Sequence, residues 1–113
     1  MHELSIAMNI VEIAEEQTLS AGGHKVSHME LEVGQLSGVV YDALDFAMEE
    51  AIKDSVLESA KIDIIKTAGR ARCLQCHTEF ELEEVFTPCP ACASFENEII
   101  SGEELKVLRL TIE

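Results

Sequence analysis

Three features of the sequence together predict an α+β fold. Residues 4–20 and 42–55 place apolar side chains at helical spacing. Residues 26–33 alternate apolar and polar side chains, as a half-buried strand does, and 61–66 and 105–112 read as two further strands. Between the last two of these strands lies a polar segment that holds all four cysteines of the chain. Two amphipathic helices can cover one face of a three-stranded sheet, each layer burying the apolar side of the other. The predicted architecture is therefore two helices on one face of a three-stranded sheet, with an inserted four-cysteine module. The expected boundaries are 1–69 plus 103–113 for the α+β domain and 70–102 for the insert.

The first helix carries Leu4, Ala7, Met8, Val11 and Ala14 on one face, widened by Ile6, Ile10 and Ile13, and it stops at Ala21-Gly22-Gly23. Glu12, Glu15 and Glu16 form its solvated side. In the first strand Met29, Leu31 and Val33 alternate with His28, Glu30 and Glu32, which predicts one solvated sheet face. His24 and His28 read as surface residues rather than ligands. A loop, Gly34-Gln-Leu-Ser-Gly38, leads to the second helix, whose buried side is Leu44, Ala47, Met48, Ala51 and Ile52. Asp42 is placed to favour the first turn of that helix, where the peptide dipoles present positive charge. The last strand puts Leu108, Leu110 and Ile112 on one side.

With 113 residues, the chain is one domain or one small domain with an appendage. Hydrophobic residues make up 47%, with no tryptophan, so the core is expected to be aliphatic. No apolar run is long enough to span a bilayer, and the first residues lack the basic region of a secretory signal. Twenty-two acidic residues against eight basic ones give a formal charge of −14. That balance argues against binding to nucleic acid or to anionic membranes. Within residues 69–100 only Arg70 and Arg72 face six glutamates, so the cysteine module lacks a phosphate-binding footprint of its own.

The cysteines form two pairs, Cys73-Leu-Gln-Cys76 and Cys89-Pro-Ala-Cys92, separated by twelve residues. Two intervening residues let a tight turn aim both sulfurs at one point. Two such knuckles facing each other offer four thiolates at tetrahedral corners, the geometry of a structural zinc ribbon. Pro88 and Pro90 stiffen the second knuckle. Two disulfides would suit a secreted chain, and nothing else in the sequence points that way. A thioredoxin-like pair would leave the other pair unexplained. Cys73-x-x-Cys76-His77 also matches the c-type haem attachment pattern, but that reading leaves Cys89 and Cys92 idle. His77 is then a neighbour of the knuckle rather than a ligand. The insert is too polar and too small to carry a core of its own, so the metal is expected to hold it together. A metal pattern in place of a disulfide framework fits a reducing cytoplasm.

The N-terminus holds a second set of donors. The Met1 α-amine, the backbone nitrogen of His2 and its imidazole can chelate one ion in small rings, a nitrogen-rich set suited to Ni(II) or Cu(II). Taken alone, a histidine at position 2 is usually a surface residue.

Met-His-Glu-Leu-Ser at the start, Leu-Glu-Val-Gly-Gln-Leu-Ser-Gly in the middle and the two spaced Cys-x-x-Cys pairs together resemble the HypA/HybF family of nickel-insertion proteins for [NiFe] hydrogenases. The similarity covers essentially the whole chain. The resemblance implies nickel binding by Met1, His2 and Glu3, through the amine, the histidine and the Glu3 backbone, and zinc binding by Cys73, Cys76, Cys89 and Cys92. It implies a cytoplasmic metallochaperone that works with a nickel-handling GTPase and the hydrogenase large subunit. One position departs from the pattern. Some members carry an acidic residue in the loop before the second helix, and Val40 stands there in this chain, with Asp42 the nearest carboxylate.

Two other classes of function are open to such a sequence. A zinc-ribbon adaptor for protein contacts would bind zinc alone and leave His2 incidental. An enzyme would need a phosphate loop, a nucleophile with its base, or an open metal position, and the sequence offers none of these.

Overall fold

The structure, a computed structural model, describes residues 3–113. Its elements in chain order are α1 (Glu3–Ser20), β1 (Val26–Gly34), α2 (Tyr41–Ala51), β2 (Lys61–Thr67), β3 (Arg70–Cys73), β4 (Glu79–Glu81), β5 (Asn97–Ser101) and β6 (Leu105–Ile112). They form two three-stranded sheets, ordered β2-β1-β6 and β4-β3-β5. The predicted α+β class, with two helices and a cysteine-bearing insert, is what the chain adopts. The chain divides into two compact units. The first takes in the chain up to Leu31, then Val39–Ile64 and Val107–Glu113. The second is Glu32–Gly38 with Ile65–Lys106.

In the first unit α1 and α2 pack together. Ile6, Ala7, Ile10, Ala14 and Thr18 are the buried residues of α1. From Ala7 onward they recur every three or four positions, and Ile6 lies one turn before Ile10, so they share one stripe. The predicted face was broader. Leu4, Met8 and Ile13 are exposed, because α1 is apolar around most of its circumference and spacing alone does not choose among its faces. Leu44, Ala47 and Met48 are the buried side of α2, and Val26, Met29 and Leu31 are wholly buried on β1. At the end of α1, Gly22 adopts φ 71° and the Gly23 N–H returns to the Thr18 carbonyl at 3.0 Å, satisfying a free helix-end acceptor.

The second helix is shorter than the expected 42–55. It ends at Ala51 because Asp54 turns into the left-handed region at φ 59°. Two local bonds hold that turn. The Ser55 hydroxyl donates to the Ile52 carbonyl at 2.7 Å, and the Glu58 carboxylate accepts the Asp54 N–H at 2.6 Å. On β6 the alternation slips, so that Leu108 and Arg109 are both exposed while Leu110 and Ile112 are partly covered.

In the second unit β3 is the central strand. Ala71 faces Phe80 of β4 on one side and Ile99 of β5 on the other. Its small side chain leaves room for both. Ala71, Cys73, Phe80, Leu82 and Cys89 form a buried cluster, with Leu36 and Ile99 packed against it. The module thus owns a small apolar core, and two of its five members are cysteines. Leu36 reaches this cluster because the 34–38 loop is stitched into the unit. The Gly34 N–H donates to Glu104 O at 2.7 Å, the Leu36 N–H to Gly102 O at 2.6 Å, and the Gln35 N–H to Thr67 O at 2.8 Å. The segments cross where Gly34, Gly69 and Gly102 meet. A Cβ at Gly34 would collide with the Gly102 carbonyl, so the crossing requires glycine there.

Candidate metal centre

The two knuckles share one backbone scheme. The Cys73 N–H donates to Thr78 O at 2.9 Å, and the Cys89 N–H donates to Ser94 O at 2.8 Å. The Cys73 carbonyl accepts the His77 N–H at 3.0 Å, and the Cys89 carbonyl accepts the Ala93 N–H at 2.8 Å. The first sulfur of each pair accepts a backbone N–H two residues on, from Gln75 and from Ala91, both at 3.4 Å. Closing each turn this tightly takes the fifth residue into positive φ, 65° at His77 and 61° at Ala93. The sequence spacing thus becomes two near-identical claws.

The claws bring all four sulfurs within 4.8 Å of one another. Between the knuckles, the Cys73 sulfur lies 3.5 Å from that of Cys92 and the Cys76 sulfur 3.6 Å from that of Cys89. All four cysteines are free thiols. A zinc–sulfur bond of about 2.3 Å sets tetrahedral sulfurs about 3.8 Å apart, close to the distances here. Soft sulfur donors in a closed set of four are consistent with structural zinc. Cys73 and Cys89 are buried in the small core, while Cys76 and Cys92 lie at the surface. Among the described residues this is the one cluster of three or more potential ligands, and His77 is outside it.

The surroundings favour thiolates unevenly. Backbone N–H groups of Cys76 and then Gln75 hold the Cys73 thiol below its ordinary range. The Thr78 hydroxyl, 3.2 Å from the Cys76 sulfur, and the Thr78 backbone bring Cys76 down to about 6. At Cys92 the Ser94 backbone favours the thiolate, but Cys73, burial and the other two cysteines push it up to about 12. Four adjacent sulfurs cannot all ionise without a cation between them, and a divalent ion relieves that repulsion as it displaces the protons.

Of the other residues singled out in the sequence, Met1 and His2 lie outside the described residues. Glu3 is the first residue of α1, and its carboxylate accepts the Val40 N–H at 3.4 Å. Val40 is the N-cap of α2, and Asp42 lies in the first turn of that helix. Thr78 and Leu36 escaped sequence reasoning. A hydroxyl two residues after a knuckle cysteine was the available signal for Thr78. Leu36 had none, since its contacts are with residues more than thirty positions away.

A small α+β fold that gathers four thiols at one point defines a metal-binding protein. The comparisons with known proteins narrow this. The family model described as hydrogenase/urease nickel incorporation, metallochaperone, hypA matches residues 1–112. Hydrogenase maturation factor HypA of Geobacter metallireducens is 45% identical over 113 residues, covering 100% of each chain. That of Parabacteroides distasonis is 46% identical over 112 residues, covering 99% of this chain and 97% of its own. The solution structure of the Ni metallochaperone HypA from Helicobacter pylori shares the fold, with a TM-score of 0.70 over 99% of this chain and 97% of that one, at 24% identity. The chain belongs to the HypA family of hydrogenase maturation metallochaperones. No described helix is long and apolar enough to cross a membrane.

Proposed function

We propose that this protein is a nickel metallochaperone that binds Ni(II) at its N-terminus and helps insert it into the [NiFe]-hydrogenase large subunit. Nickel is cargo in this reading, handed on in the cytoplasm with the help of a nickel-handling GTPase, and the protein is a carrier rather than an enzyme. The Met1 α-amine, His2 and the Glu3 backbone hold the nickel. Cys73, Cys76, Cys89 and Cys92 hold a structural zinc. The domain division proposed from the sequence, 1–69 plus 103–113 and 70–102, assigns the two metals to separate domains.

The observation that carries the reading is the full-length family match together with the closed four-thiol cluster. Four cysteines complete a zinc shell and leave no position for cargo. Nickel then needs another set of donors, and the nitrogen-rich start of the chain is the one the sequence offers. The test is calorimetric nickel titration, with zinc kept saturated, of untagged protein, His2→Ala and a form extended by a few residues at the N-terminus. Untagged protein should bind nickel tightly and retain its zinc, and both altered forms should lose that binding. Affinity should fall steeply from about pH 8 to about pH 6, because protons compete for the amine and the imidazole. Equal nickel affinity in all three forms would leave a zinc-only adaptor as the better account.

A further inference from the structure

The second unit exposes large apolar side chains beside its knuckles. Phe86 is 86% exposed, Phe95 68% and Leu74 54%, with Val85 also out in solvent. Backbone bonds bring their segments together. The Leu74 N–H donates to Glu96 O at 2.8 Å, which sets the first knuckle against the Phe95-Glu96 turn. The Asn97 side-chain amide donates to Thr87 O at 3.1 Å and to Ser94 O at 3.4 Å, which sets Phe86-Thr87 against the same run. Large apolar side chains exposed on segments joined in this way, on a small polar module, are a feature of contact surfaces rather than of ordinary exposed positions.

The charges around them indicate the occupant. Arg70 lies near Glu79 and Glu81, Arg72 pairs with Glu98, and Glu96 accepts the Gln75 amide at 2.6 Å. Glu83 and Glu84, immediately before Val85-Phe86, have no ion pair among the described residues. Apolar anchors and unneutralised carboxylates thus stand side by side, in a chain of net charge −14. Nucleic acid and anionic membranes would be repelled.

We infer that Phe86, Phe95 and Leu74 dock into an apolar cleft, rimmed by lysine and arginine, on a protein partner. The aromatic side chains supply the buried anchors of the contact, and Glu83 and Glu84 steer association and fix orientation.

The choice of probes rests on the maturation reading above. Purified zinc-loaded protein is titrated against the large-subunit precursor and, separately, against the nickel-handling GTPase. The variants are Phe86→Ser/Phe95→Ser and Glu83→Lys/Glu84→Lys, each checked for zinc content and circular dichroism. At least one probe should bind the unmodified protein. The double serine variant should bind it at least about tenfold more weakly. The double lysine variant should associate more slowly, with a flatter dependence on salt. Unchanged binding in both variants overturns the inference, as does failure of the unmodified protein to bind either probe. Nickel titration of the same preparations separates the two ideas. Tight nickel binding without docking sinks only the docking surface, and docking without nickel binding sinks only the carrier reading.

Discussion

The Glu3 carboxylate accepts a hydrogen bond from the Val40 backbone N–H at 3.4 Å, so a side chain from the first residue of α1 serves the N-cap of α2. Val40 has no side-chain oxygen with which to cap the helix, and no side-chain capping bond of its own is formed. One carboxylate thereby lies beside the N-terminal ends of two helices, where the peptide dipoles favour negative charge. Glu3→Gln keeps the shape and removes the charge. It should lower stability by about 0.5 kcal/mol, at the modest end for a partly exposed carboxylate at a helix start. Nickel affinity should hold within about twofold on the proposed model, which uses only the backbone of residue 3, since 1.4 kcal/mol is needed for a tenfold change. Urea denaturation and nickel titration of the same sample check both halves.

Thr18 is 2% exposed, and its hydroxyl oxygen has no hydrogen-bond partner among the described residues. A buried hydroxyl without a partner loses its solvation and gains nothing in return. Thr18→Val replaces the hydroxyl with a methyl of similar size. Stability should rise by about 1 kcal/mol, with no change in zinc content, as read from the denaturant midpoint at constant slope.

How far the sequence reached depended on whether the signal was local. The four cysteines declared themselves because two residues between ligands is itself the geometry of a knuckle. Both helices were legible from their spacing. The buried stripe of α1 was not, since Leu4, Met8 and Ile13 are as apolar as the residues that are buried. The end of α2 was hidden because it depends on Asp54 entering the left-handed region, held by Ser55 and Glu58. β5 escaped notice because Asn97–Ser101 is short and mostly polar, and only pairing with β3 makes it a strand. Leu36 against the buried cluster of the second unit, and Glu3 against Val40, join residues distant in the chain. No single-sequence pattern encodes such contacts.

His28 Nε2 lies 2.7 Å from Asp63 Oδ2, across β1 and β2. The hydrogen bond from His28 holds the Asp63 carboxyl below the usual carboxylate range. A depressed folded-state pKa means that the ionised form is favoured by folding. Its contribution is present above about pH 4, the unfolded value, and is lost as pH falls through the lower folded value. Asp63→Asn should therefore flatten the acid side of the stability profile. The loss of stability between pH 5 and pH 3 should be smaller in the variant than in the unmodified protein. Parallel profiles would show that the pair is merely a surface contact.

Zinc removal tests the division of labour within the second unit. The buried cluster of that unit has five members, and Cys73 and Cys89 are two of them. Without the metal, four thiols crowd together around a core too small to fold a segment of this size alone. Chelation, or Cys76→Ala at the exposed edge, should abolish tight zinc binding and release the amide protection of β3, β4 and β5. Ellipticity from α1 and α2 should largely remain, since the residues buried on those helices belong to the other unit. Hydrogen exchange on the apo protein distinguishes this from global unfolding, in which protection of both helices would vanish together.

The last expectation concerns the backbone of the knuckles. His77 and Ala93 occupy equivalent places in the two claws, four residues after Cys73 and Cys89, and both have positive φ. An L-residue in this conformation brings its Cβ too close to the neighbouring carbonyl, at a cost of about 1–2 kcal/mol. Glycine escapes that cost, but the greater freedom of the unfolded chain takes back about 0.5–1 kcal/mol. Ala93→Gly should therefore stabilise the zinc-loaded protein by about 0.5–1 kcal/mol, the difference between those two effects. Ala93→Val should act in the opposite sense, because a β-branched side chain tolerates positive φ least well. The Ala93 N–H is bonded to the Cys89 carbonyl at 2.8 Å, so strain at residue 93 bears directly on the second claw. The denaturant concentration that releases zinc should rank glycine above alanine and alanine above valine. If the three variants release zinc at the same denaturant concentration, the turn at residue 93 does not limit the stability of the metal centre.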